Sequence, residues 1–146
     1  MKEDLEILLV EDNPHDAELT IRALKKWDLA SHLCHVSDGQ EAHDFLFATG
    51  AYQGRDVREQ PKLILLDLKL PKLDGMDVLR EIRADERTKH LLVVVLTSSS
   101  ENSDVTSAYR IGANSYVVKP MGFQSYLDVV GKMGRYWMKT NVFPNN

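Results

Sequence analysis

Five short runs rich in Val, Ile and Leu alternate along this chain with longer stretches of helical spacing. The runs are Glu6 to Val10, His32 to Ser37, Leu63 to Leu66, Leu92 to Leu96 and Ser115 to Val118. Strand and helix in strict alternation imply parallel strands joined by helical crossovers, so the expected class is a doubly wound α/β domain with a five-stranded sheet. The second run is the weakest of the five, because His32 and His35 interrupt it.

The intervening stretches carry their own punctuation. Asn13 before Pro14 reads as an N-cap with proline in the first turn, after which Ala17, Ile21 and Leu24 recur on one face. Asp38 and Glu41 have capping-box spacing ahead of Ala42, Phe45 and Leu46, with a stop expected at Gly50. Val78, Leu79 and Ile82 mark a third helix, Val105, Ala108 and Tyr109 a fourth ending near Gly112, and Phe123, Leu127, Val130, Met133 and Trp137 a fifth. The pattern lapses only in GAYQGRDVREQP, Gly50 to Pro61, which reads as a long surface connection.

At 146 residues the chain suits one continuous core, so a single domain over 1–146 with a short C-terminal extension at 138–146 is expected. No apolar run is long enough to span a bilayer, and the acidic MKEDLEILLV start does not resemble a secretory signal, which points to the cytoplasm. The single cysteine, Cys34, excludes an internal disulfide and a multi-Cys zinc site. A net charge of -4 with scattered Lys and Arg argues against direct binding of nucleic acid.

The polar residues that follow the strands carry the functional information. Glu11 and Asp12 follow the first, Asp67 the third, Thr97 the fourth and Lys119 the fifth. In an open parallel sheet these C-terminal ends share one edge, where such folds bind ligands. Two unit charges about 4 Å apart repel by roughly 4 kcal/mol at an effective dielectric near 20, so three gathered carboxylates need a cation. Oxygen-only donors with room for water and phosphate suit Mg2+ better than zinc. Lys119 is a point charge suited to a phosphoryl oxygen, and the Thr97 hydroxyl can donate to another. Asp67, alone on its strand end, is the better nucleophile of the three acids, and the product would be an aspartyl phosphate.

Together the segments LLVEDN, LILLDLKLPKLDG, VVVLTSSS and SYVVKP resemble the receiver domain of two-component response regulators, over roughly Ile7 to Trp137. The resemblance implies a flavodoxin-like sheet of order 2-1-3-4-5 and assigns roles. Asp67 would be the phosphoacceptor, charged from a phosphohistidine on a sensor histidine kinase. Asp12, Glu11 partly through water, Asp67 and the backbone carbonyl of Lys69 would hold magnesium. Thr97 and Tyr116 match the pair that reorients on phosphorylation, Lys119 the phosphate-binding lysine, and the bond from Lys119 to Pro120 would be cis. The insertion before the third strand and the ending YWMKTNVFP look like the stand-alone regulators that partner bacterial phytochromes. Output would then leave by protein contact through the fourth helix, fifth strand and fifth helix, with Trp137, Val142 and Phe143 available for a homodimer interface.

Each residue also has a plainer use. Asp67 alone could be an acid that ends a strand and caps a turn; Glu11 and Asp12 favour the following helix dipole; Thr97 could cap the next helix; Tyr116 could simply be packed; Trp137 and Phe143 could cover their own core. For Asp67 the company of the other four residues reverses the plainer reading; Glu11 and Asp12 keep the helix-dipole role beside the metal one, and the switching role of Tyr116 rests on the family resemblance alone. A phosphatase of the haloacid dehalogenase type would need an acid where Lys69 stands, a flavin or nucleotide binder would want a Gly- or Thr-rich loop where EDNPHD stands, and a receiver-like module that is never phosphorylated is the third alternative.

Overall fold

The computed structural model describes residues 5–144. Its elements run β1 (Ile7–Val10), α1 (Pro14–Lys26), β2 (Leu33–Val36), α2 (Gly39–Phe47), a 3-10 turn (Gly50–Tyr52), β3 (Leu63–Leu66), α3 (Gly75–Ala84), β4 (Leu92–Thr97), α4 (Asn102–Ile111), β5 (Ser115–Val118), α5 (Phe123–Arg135) and a π-turn (Tyr136–Thr140). All strand pairs are parallel and the order is β2-β1-β3-β4-β5, so the expected doubly wound sheet is observed. The ends of the expected domain, residues 1–4 and 145–146, lie outside the described residues.

Successive strand residues point to opposite faces, and both faces are covered. Leu8, Val10, Ile64, Leu66, Val93 and Val95 pack with Ala42, Leu46, Val78, Leu79, Ile82 and Ala108 on one side. Ile7, Leu9, Leu63, Leu65, Val94 and Leu96 pack with Ala17, Leu24, Tyr126, Val130 and Met133 on the other. Each fully buried Leu or Ile contributes about 1.5–3 kcal/mol, which is why continuous apolar runs are favoured here over alternating ones.

Caps form where the spacing places them. The Asn13 side chain accepts from the amides of His15 and Asp16, and Asp38 accepts from Glu41. β2 is an edge strand, and the histidine before it and the one within it are held rather than disruptive: His32 Nδ1 lies 3.2 Å from Glu6 Oε1 and His35 Nε2 2.8 Å from the Glu11 carbonyl oxygen.

Two local expectations are revised and a third gains detail. α2 ends at Phe47, before Gly50, because Ala48 adopts a left-handed conformation (φ 55°) and returns its amide to the Asp44 carbonyl. The Gly50–Pro61 connection contains the 3-10 turn and is tied down: Tyr52 Oη donates to Glu41 at 2.7 Å, Gln60 Nε2 to the Leu46 carbonyl at 2.8 Å, and Arg55 to the Phe45 carbonyl. Among the described residues no peptide bond is cis, so Lys119–Pro120 is trans, contrary to expectation. Trans is intrinsically preferred by about 0.5–1 kcal/mol. The Lys119 amide already bonds the Thr97 carbonyl at 2.7 Å, and its side chain reaches the sheet edge from the trans backbone.

Candidate functional site

The parallel register brings the C-terminal ends of β1, β3, β4 and β5 together. The Glu11 amide donates to the Val36 carbonyl at 3.1 Å and the Asp67 amide to the Val10 carbonyl at 3.1 Å, so both acids are fixed by the backbone of the adjacent strand. Glu11 is 1% exposed and Asp67 7%, whereas Asp12 faces solvent. One carboxylate oxygen from each of Glu11, Asp12 and Asp67 lies within 4.8 Å of the other two. Oxygen-only donors gathered this closely would hold one hard divalent cation, with the buried Glu11 and Asp67 fixed on the sheet and Asp12 open to solvent. The donor set fits such an ion.

The buried partner that Asp67 requires is Lys119. Its Nζ lies 2.6 Å from Glu11 Oε1, 2.9 Å from Asp67 Oδ2 and 2.9 Å from Asp16 Oδ2, and its side chain is 7% exposed. Burial opposes the charged ammonium, but hydrogen bonds and charge from Glu11, Asp67 and Asp16 overcome it and hold the Lys119 pKa above the usual lysine value. At Glu11, by contrast, burial prevails, pushing its pKa from 4.5 to about 7 against the lowering effect of Lys119.

Thr97 is fully buried and its Oγ1 has no hydrogen-bond partner. A hydroxyl in that state costs free energy unless something else accepts from it. Tyr116 is half-buried against the core face and its hydroxyl donates to the Ser99 carbonyl at 2.9 Å, which ties β5 to the loop before α4. The Lys69 side chain is exposed, and its amide donates to Asp67 Oδ1 at 3.2 Å.

Two glycines set the path of the β3–α3 loop. A Cβ on Gly75 would stand 2.3 Å from the Asp67 carbonyl oxygen, and one on Gly39 would stand 1.7 Å from the Leu73 carbonyl oxygen. Only hydrogen fits at either close approach. Between them Lys72 takes a left-handed conformation, φ 67°.

The structure brings together Glu11, Asp12, Asp67 and Lys119, all anticipated from the strand ends. It adds Asp16, which the strand-end pattern does not reach because the residue sits in the first turn of α1. The available signal was the spacing of Asp16 and Thr20, polar groups four residues apart beside the apolar Ala17–Leu24 face.

Residues 7–130 match the response regulator receiver domain. The response regulator Rcp1 of Synechocystis sp. is 37% identical over 138 residues, covering 94% of this chain and 92% of that protein. The crystal structure of the phosphorylated cyanobacterial phytochrome response regulator RcpA superposes with a TM-score of 0.89 at 35% identity, over 98% of this chain and 100% of that one. The Mn(2+)-bound form of Rcp1 gives 0.88 at 37% identity, over 95% and 98%. With its sheet order, its acidic strand ends and these matches in agreement, the chain belongs to the response regulator receiver domain family.

Proposed function

We propose that this protein is a single-domain response regulator in which Asp67 accepts a phosphoryl group from the phosphohistidine of a sensor histidine kinase. The observation that carries this reading is the pairing of two buried groups at one strand edge. Lys119 sits 2.9 Å from Asp67, and the Thr97 hydroxyl, also buried, lacks an acceptor. In the transfer an Asp67 carboxylate oxygen forms the new O–P bond as the N–P bond of the phosphohistidine breaks, the electron pair staying on the ring nitrogen and the imidazole leaving neutral with a proton on its other nitrogen, taken from solvent. Lys119 and Thr97 each supply a donor for the phosphoryl oxygens.

Asp12, Asp67, Glu11 partly through water, and the Lys69 carbonyl would hold Mg2+. When bound, the ion neutralises charge spread over the phosphoryl oxygens and orients them for in-line transfer. The Mn(2+)-bound form of Rcp1 supports a divalent ion in this family. The phytochrome regulators among its relatives support a phytochrome as the kinase. The domain acts as a switch rather than an enzyme with turnover: Thr97 and Tyr116 reorient, and the surface of α4, β5 and α5 passes the signal to a downstream protein.

Incubation with acetyl phosphate, with and without magnesium, followed by intact-mass measurement, tests the reading. A magnesium-dependent gain of one phosphoryl group that disappears in Asp67→Ala is expected. No gain under any condition would favour a receiver-like interaction module, and steady turnover of varied phosphate esters would favour a phosphatase.

A further inference from the structure

Lys119 has three N–H donors and three carboxylate acceptors, and the acceptors are not equivalent. Glu11 and Asp67 belong to the set of oxygens that can gather round one cation; Asp16 does not. A divalent ion held by Glu11, Asp12 and Asp67 would draw charge from two of the three acceptors of Lys119 and leave Asp16 as the one outside the metal set.

Asp16 is also unusually well fixed. Its amide donates to Asn13 Oδ1 at 3.1 Å, and its carbonyl accepts from Thr20 Oγ1 at 2.8 Å. The Tyr126 hydroxyl lies 3.0 Å from Thr20 Oγ1 and 3.4 Å from the same Asp16 carbonyl. Thr20 is fully buried and Tyr126 is 4% exposed, so this polar chain crosses the α1–α5 interface through direct contacts. A helix N-terminal acid serves the macrodipole from a solvent-facing position. Here the carboxylate is three-quarters buried and bonded to a buried ammonium.

We propose that Asp16 is the positioning residue for Lys119: it holds the ammonium over Asp67 when the other two acids are committed to metal, and the Thr20–Tyr126 chain ties that hold to α5. The inference deepens the phosphoacceptor reading and rests on it for its consequence, which is faster phosphoryl uptake on Asp67.

The test is acylation of the full-length protein by acetic anhydride, read at Lys119 by peptide mass spectrometry, in metal-free buffer and in saturating magnesium chloride. Wild type is expected to be protected in both. Asp16→Asn should stay protected without metal, through Glu11 and Asp67, and label about fivefold faster with magnesium, the ratio for a charge-assisted bond exchanged for a neutral one. Asp16→Glu, which keeps the carboxylate, should restore protection, and serves as the deciding variant if the asparagine form does not fold. Uptake from acetyl phosphate should slow about fivefold in Asp16→Asn and recover in Asp16→Glu. Wild-type labelling of magnesium-loaded Asp16→Asn, or labelling of Asp16→Glu as fast as the asparagine form, overturns the proposal. Wild type that resists phosphorylation yet shows the expected labelling pattern overturns the phosphoacceptor reading and leaves the tether standing.

Discussion

At the scale of single residues the site is a competition between burial and charge. Glu11 illustrates the sign. Its pKa rises on folding from 4.5 to about 7, chiefly through burial, so between those values the folded state retains a proton that the unfolded chain has released. Stability therefore falls as pH rises through that window, and a carboxylate contributing in this sense is a liability at neutral pH. Metal-free protein should be less stable by urea denaturation at pH 8 than at pH 5, and Glu11→Gln should flatten that slope. Thr97 gives a second expectation. Its buried hydroxyl has no partner, so Thr97→Val should preserve stability or raise it by about 1 kcal/mol while reducing phosphoryl uptake. A residue whose removal helps the resting fold and harms the chemistry is the signature of a donor kept for a ligand.

At the scale of elements, what joins the helices to the sheet matters more than helix propensity. Close approach of backbones at Gly39 and Gly75 places the β3–α3 loop beside Asp67, and both contacts are with backbone atoms that cannot swing aside. Gly75→Ala should cost about 1–3 kcal/mol in stability and disturb Asp67, measured as both a lowered denaturation midpoint and slower uptake from acetyl phosphate. Arg83 joins α3 to the turn before β5. Its guanidinium donates to the carbonyls of Gly112 at 2.8 Å and Leu91 at 2.6 Å, and to Asn114 Oδ1 at 2.8 Å. A lysine keeps the charge and loses the fork, so Arg83→Lys should cost about 1–3 kcal/mol by the same measurement. The N-caps of α1 and α2 were legible because a cap requires only residues within one turn of each other. The early end of α2 was not, because Ala48 rather than a glycine takes the left-handed position.

At the scale of the whole molecule the proposed switch must act through contacts that differ between two states. Tyr116 is bonded to the Ser99 carbonyl in this state, and Tyr109 on α4, Val118 on β5, Met121 in the loop before α5 and Phe123 at its start are exposed. Phosphorylation should change amide hydrogen exchange across that surface and leave the β1–β3 core unchanged, with no effect in Asp67→Ala. Trp137 packs onto the core face shared with α1 and α5, which favours the plainer of its two readings, while Val142 is 87% exposed. By itself the sequence determined the five strands, their parallel alternation with helices and the acids, threonine and lysine at the strand ends, because these follow from apolar runs and from residues adjacent to them. Only the tertiary structure decided that Lys119 is shared among three acids, that Asp16 is the third and that Pro120 follows a trans bond. The shared lysine joins residues 52 and 103 positions apart, and such distances are closed by the pairing of β3, β4 and β5 and by the packing of α1 on the sheet rather than by any local preference of the chain.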